Sequence, residues 1–125
     1  MTVEKVLEQI KALKHGFDVD DETLLSYIDT AEHMILTDIV CGREDDDEVT
    51  AQYHGCDLQD GRDTELFAPQ PFEQIYAQFA VTQIDLLDED GERYLNDMAV
   101  FRDTFLELKR YWWKTHRQKK NYRYF

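Results

Sequence analysis

The chain has 125 residues, of which 42% are hydrophobic and 33% charged, and its formal net charge is −13. This length suffices for one hydrophobic core but not for two of ordinary size, so we expect a single domain over residues 1–125. The acidity argues against a body that binds nucleic acid through its phosphates, because such binding needs Lys and Arg. No apolar run approaches the ~18 residues of a membrane span, and residues 1–16 lack a signal-peptide pattern. We expect a soluble intracellular protein whose two cysteines, Cys41 and Cys56, are free thiols.

The first forty residues predict two helices. Apolar residues recur every three or four positions from Val3 to Leu13, which predicts an amphipathic helix from Thr2 to His15 with Thr2 as its N-cap. The same spacing from Leu24 to Ile39 predicts a second helix from about Asp21 to Val40. Residues 20–22 are all acidic and supply its N-cap and a first turn that suits the helix dipole.

The helical periodicity disappears between Cys41 and Gln70, where we expect a long loop that contains the acidic run 44–48. A short β-hairpin formed by Thr50–Tyr53 and Glu65–Phe67 is an alternative for part of it. The segment holds the one arrangement that resembles metal ligands, but a zinc site normally has paired ligands, and the acidic run lacks the alternating order of a calcium loop. The candidate metal ligands in this segment are Cys41, His54, Cys56 and Asp57. Because their spacing fits neither type of site, we predict neither a metal nor a cofactor.

Two more helices are predicted after the loop. Pro71 suits the first turn of a helix, and apolar residues follow it at helical spacing as far as Leu86. The run Asp88–Gly91 favours a tight turn, which would make an antiparallel hairpin, over a kink in one continuous helix. A fourth helix, from about Glu92 to His116, would be about 37 Å long and should protrude beyond its neighbours. The predicted fold class is all-α, a bundle of about four helices with a long loop 41–70 and an extended C-terminal helix and tail.

No residues resemble a catalytic constellation. Ser26 is the single serine and lies within the second predicted helix, as does His33, and no glycine-rich phosphate loop or nucleophile elbow occurs. We predict that the protein is not an enzyme.

The last eighteen residues, Leu108–Phe125, differ sharply from the rest. They carry seven Lys or Arg and no Asp or Glu, a charge of +7, whereas the preceding 107 residues carry −20. Three interpretations are open: docking to a protein partner, binding to nucleic acid with aromatic rings stacked on bases, or a frayed solvated terminus. The density of aromatic residues favours docking. The predicted docking residues are Tyr111, Trp112, Trp113, Lys114, Arg117, Lys119, Lys120, Tyr122, Arg123, Tyr124 and Phe125.

Because Trp112 ends the apolar stripe of the fourth helix and already lies in the basic segment, we expect helix and tail to act as one element. Replacing Trp112 and Trp113 with alanine should then impair docking and leave the helical content largely intact.

Residues 24–31, 71–76, 93–101 and 113–116 together resemble the head–tail connector (adaptor) proteins of tailed bacteriophages. The resemblance covers about two thirds of the chain and rests on patterns of helix packing; the acidic loop with its cysteines departs from it. It implies a helical subunit that assembles as a ring, typically of twelve copies, beneath the portal of the capsid, with DNA passing through the centre.

The implied partners are the portal protein, neighbouring connector subunits and tail or stopper proteins. The implied location is the head–tail junction of the virion, after assembly in the host cytoplasm. The resemblance also implies that residues 108–125 contact the portal and that loop 41–70 reaches neighbouring subunits or the lumen. The alternative function is a small helical nucleic-acid-binding or regulatory module that uses the basic tail.

Overall fold

The computed structural model describes residues 2–13, 19–52 and 64–118, and these are mostly helical, which confirms the all-α class. The helices are α1 (Val3–Leu13), α2 (Asp21–Ile35), α3 (Asp46–Gln52), α4 (Ile75–Leu87) and α5 (Gly91–Thr115), and α2 continues directly into a π-helical segment, Leu36–Val40. The described residues contain no strand, only isolated antiparallel bridges between Thr2 and Glu65 and between Arg43 and Gln118. None of the helices in this described part combines the length and hydrophobicity needed to span a bilayer.

The first two helices, α1 and α2, each begin directly after an N-cap residue, Thr2 and Asp20. Thr2 Oγ1 accepts a hydrogen bond from the backbone N–H of Lys5 at 3.4 Å, and Asp20 Oδ1 accepts one from that of Thr23 at 2.9 Å. Each cap satisfies an N–H that the first helical turn leaves open. The predicted end of the second helix at Val40 is confirmed if its π-helical segment is included. The predicted end of the first, His15, lies outside the described residues.

Helix α4 forms the centre of the fold and packs against α1, α2 and α5. A helix that is apolar around most of its circumference must be covered on several sides, and α4 has this composition. Its Ile75, Tyr76 and Ile84 are completely buried, and each such side chain contributes about 1.5–3 kcal/mol to folding. On the side facing α5, the rings of Phe79 and Phe101 lie 5.2 Å apart between centroids.

The prediction of a long loop over 41–70 is wrong for residues 46–52, which form the helix α3. The acidic run supplies the first turn of α3, where Asp46, Asp47 and Glu48 lie near the positive end of the helix dipole. Asp46 Oδ2 also accepts a hydrogen bond from the N–H of Gly42 at 3.0 Å. The alternative strand at Thr50–Tyr53 is wrong for its first three residues, which are helical, and Tyr53 lies outside the described residues.

The hairpin of the last two helices is confirmed, with small changes at its boundaries. Helix α4 begins at Ile75 and not at Pro71, because a turn comes first, in which the N–H of Phe72 donates to the carbonyl of Pro69 at 2.7 Å. Three residues, Asp88–Asp90, connect α4 to α5, and Asp90 Oδ1 caps α5 by accepting from the N–H of Arg93 at 3.2 Å.

The predicted apolar stripe on α5 faces the core. Its members Phe101 and Leu108 are buried, and the other four are half-buried: Tyr94, Met98, Phe105 and Trp112. The C-terminal end of α5 does not protrude as expected, because it packs against the π-helical segment.

Candidate docking surfaces

The predicted docking residues divide between two parts of the chain. Tyr111, Trp112, Trp113 and Lys114 occupy the last turns of α5, and Arg117 follows the helix. The remaining six lie outside the described residues: Lys119, Lys120, Tyr122, Arg123, Tyr124 and Phe125.

Trp113 is fixed by contacts within its own chain. Its indole Nε1–H donates to the carbonyl of Ile39 at 2.8 Å. That carbonyl lies at the end of the π-helical segment, where a helix leaves its last C=O groups without partners of its own. The guanidinium of Arg43 lies 3.9 Å and the ammonium of Lys109 lies 4.4 Å from the centroid of the indole ring, both at cation–π distance. Trp113 therefore closes the end of another helix, although 39% of its surface is still exposed.

Trp112 and Tyr111 also pack within the chain. The Trp112 ring stacks on His116 at 3.5 Å and meets Phe67 edge to face at 4.7 Å, measured between centroids. Tyr111 lies 5.6 Å from Phe72, with 45% of its surface exposed. The aromatic residues at the end of α5 thus hold residues 67–72 against the helix. Replacing both tryptophans with alanine would remove these contacts, so loss of docking could not be separated from loss of folding.

The chain turns away from α5 after Thr115. His116 has extended backbone, and the N–H of Glu44 donates to the carbonyl of Arg117 at 2.9 Å. The neighbouring Gln118 forms the bridge to Arg43. The helix therefore ends at Thr115, and the two residues Arg117 and Gln118 lie beside the segment that precedes α3.

A buried carboxyl group that was not predicted from the sequence joins three parts of the fold. Glu32 Oε1 accepts from Tyr76 Oη at 2.7 Å, and Oε2 accepts from the N–H of Phe67 at 2.8 Å, while Tyr76 Oη accepts from the N–H of Ala68 at 2.9 Å. Burial raises the pKa of Glu32 above its ordinary value of 4.5, and the two hydrogen bonds oppose that shift. Glu32 lies four residues after Ile28 and three before Ile35, which places it on the apolar face of α2. This position in the sequence could have indicated that its side chain is buried.

Glu32 also lines a cavity of about 280 Å³ together with Leu36, Val49, Glu65, Leu66, Phe67 and Trp112. The Nε1 atom of Trp112 is buried and has no hydrogen-bond partner among the described residues. The cavity adjoins the point at which residues 64–68 cross α2.

A second unpredicted feature lies at the turn between α4 and α5. A shallow cleft of about 210 Å³ is lined there by Asp85, Leu86, Glu89, Asp90, Gly91 and Tyr94. Leu86 and the adjacent Leu87 are 55% and 59% exposed. The sequence predicted a turn here but not an exposed apolar surface. The two consecutive leucines beside four acidic or flexible residues could have indicated that surface.

The described residues with catalytic potential are engaged locally. Ser26 Oγ donates to the carbonyl of Thr23 at 2.8 Å, and His33 Nδ1 lies 2.8 Å from the carbonyl of Asp29 on the exposed side of α2. Cys41 is exposed, whereas His54, Cys56 and Asp57 lie outside the described residues. Among the described residues, no three His, Cys, Asp or Glu side chains are grouped closely enough to hold a metal ion.

Comparison of the chain with protein-family models, with curated proteins and with solved structures finds no match in any of the three.

Proposed function

We propose that the protein is a structural virion protein, a head–tail connector subunit that assembles as a ring below the portal and forms part of the DNA passage. The proposal rests on the resemblance of residues 24–31, 71–76, 93–101 and 113–116 to connector proteins. It is supported by the small helical body and by the difference in charge between body and tail. Residues 108–125 are the docking element, with the portal and neighbouring copies as partners.

The structural observation that best supports this proposal is the unequal distribution of charge along α5. The two ends lie about 36 Å apart at a rise of 1.5 Å per residue. Exposed apolar side chains stand at both, Leu86 and Leu87 near the first and Leu106 and Trp113 near the second. Along the helix itself and its flanking residues, acidic side chains lie at the first end and basic ones at the second: Asp88, Glu89, Asp90 and Glu92 against Lys109, Arg110, Lys114 and Arg117. The acidic run 44–48 also lies beside the second end, where His116 Nε2 is 3.9 Å from Asp45 Oδ2.

Such a molecule suits an assembly in which each subunit presents a different surface to each neighbour. Surfaces of opposite charge favour one orientation of contact, and a repeated head-to-tail contact closes into a ring when its rotation allows. An acidic body is also suited to a channel for DNA, because like charges keep a passing duplex from adhering to the wall.

The test is co-purification with the portal protein encoded by the same phage or prophage genome. We expect the full chain to be retained by tagged portal, and Lys119→Glu/Lys120→Glu to reduce retention at least tenfold. Lys5→Glu/Arg102→Glu is the matched control, since it makes the same charge change at exposed positions of α1 and α5 and should be retained like the wild type.

The same proteins distinguish the alternative function. A nucleic-acid-binding module would bind a short DNA duplex through the tail, with an affinity that falls steeply as salt rises. Tail-dependent DNA binding together with no retention by the portal would contradict the connector proposal. Removal of residues 119–125 is the suitable deletion, because a cut at Leu108 would also remove a completely buried side chain.

A further inference from the structure

We propose that the cleft between α4 and α5 of one copy receives tail residues 122–124 of a second copy. The proposal deepens the proposed function, since it rests on the role of the tail as a docking element and identifies one partner surface for it.

The chemistry of the cleft suits one aromatic side chain beside a cation. Leu86 and Tyr94 provide apolar walls, and Gly91 contributes no side chain that would fill the space. The volume of about 210 Å³ is smaller than the ~300–1,000 Å³ of pockets that bind small molecules. A pocket of this size at a protein surface suits a single anchoring residue, and Tyr and Arg are the commonest anchors.

The rim of the cleft is acidic. Asp90 Oδ2 already lies 3.6 Å from the guanidinium of Arg93 in the same chain, so its charge is partly compensated. Glu89 is exposed on the other side of the turn, and its backbone is in the left-handed region with φ 59°. We therefore assign the incoming cation to Glu89.

The tail offers the complementary chemistry. Residues 119–125 contain three cations, three aromatic rings and no acidic side chain. Arg123 is flanked by Tyr122 and Tyr124, so one short stretch can place a ring in the cleft and a guanidinium on its rim. A contact that joins apolar burial to opposite charge is stronger and more selective than either alone.

The tail begins near the end of α5 that is distant from the cleft of its own copy. Gln118 lies beside Arg43, whose guanidinium covers Trp113, and Trp113 is nineteen residues along α5 from Tyr94, or about 28 Å. Fully extended chain covers at most about 3.6 Å per residue, so Arg123 lies within about 18 Å of Gln118. We therefore take the occupant to be the tail of another molecule, so that each copy can give a tail to one neighbour and accept one from another.

The test is the association state of purified full-length protein by sedimentation equilibrium. We expect the wild type to form species larger than a dimer as its concentration rises. Glu89→Lys should weaken this association at least tenfold, and so should Leu86→Gln, which removes an exposed apolar wall. Arg123→Glu should weaken it by itself and restore it to within about threefold of wild type when combined with Glu89→Lys, since the pair exchanges its charges.

Mixing two defective proteins gives the sharpest result. A protein without residues 119–125 keeps its cleft, and the Leu86→Gln/Glu89→Lys protein keeps its tail. Each alone should be monomeric, whereas their mixture should form a heterodimer and nothing larger. Asp38→Lys is the control, because it makes the same charge change as Glu89→Lys at an exposed position near the opposite end of α5; it should associate like the wild type.

A wild type that stays monomeric up to about 1 mM, a mixture without heterodimers, or association that is unaffected by Glu89→Lys overturns the inference. Failure of the proposed function would give a different experimental result: the portal would not retain the chain, whatever the association state of the chain. Retention by the portal that depends on the tail but not on the cleft would overturn the inference and leave the proposed function standing.

Discussion

Glu32 shows most clearly how single residues hold this fold together. Its carboxylate receives donors from α4 and from residue 67, so one side chain links α2, α4 and the segment before α4. A buried carboxylate is costly unless it is hydrogen-bonded, and here both oxygens have a donor. The segment at residues 66–68 owes its position to this group as much as to the burial of Leu66 and Ala68.

The raised pKa of Glu32 makes stability depend on pH. Between about pH 4.5 and the higher pKa of the folded state, the folded protein binds more protons than the unfolded chain. The contribution of this group is therefore fully present below the ordinary value and is lost as pH rises through the folded pKa. The loss is about 1.4 kcal/mol for each pH unit in which the two states differ by a whole proton.

We expect Glu32→Gln to remove that decline, because an amide does not titrate. Urea unfolding followed by circular dichroism, from pH 4.5 to 8, should show the variant gaining stability relative to the wild type as pH rises. Glu8→Gln, on the exposed face of α1, should follow the wild-type profile. A constant difference between Glu32→Gln and the wild type across this range would contradict the assignment.

At the scale of elements, α5 and the end of α2 support each other. The π-helical segment ends with Ile39 and Val40 buried, and the carbonyl of Ile39 is capped by Trp113. Arg43 then covers the outer face of the same indole ring. The aromatic residues of the basic segment therefore include at least one whose first role is to join two helices.

We expect Trp113→Phe to lower the free energy of unfolding by about 1–2 kcal/mol, since it removes the hydrogen bond to Ile39 and weakens two cation–π contacts. Tyr111→Phe is the matched control: it keeps the ring that packs on Phe72 and removes only a hydroxyl, so its effect should stay within about 0.5 kcal/mol. Equal stabilities of the two variants in urea would contradict the capping role.

The sequence predicted the elements whose signals are local. Caps at Thr2 and Asp20, the apolar spacing of α2 and the turn at residues 88–90 all act within a few residues. It did not predict α3, because seven residues are too few to show a periodicity. Nor could it predict the partners of Glu32 and Trp113, because the hydrogen bonds join residues 35 and 74 positions apart.

At the scale of the whole molecule, we expect charge to govern the proposed association. A net charge of −13 on a small protein makes copies repel one another at low salt. In the proposed assembly, contacts between the basic segment and the acidic turn of a neighbour would relieve that repulsion locally, and they would be screened over about 10 Å at 0.1 M salt. We expect the distribution of charge along α5 to favour an ordered head-to-tail contact in the proposed assembly.

The most direct measurement of the central claim is electron microscopy of the chain incubated with the portal protein of the same genome. We expect class averages in which a ring of subunits extends the portal along its axis, around an open channel. Portal particles with no added ring, at concentrations that saturate the tail-dependent retention expected above, would contradict it.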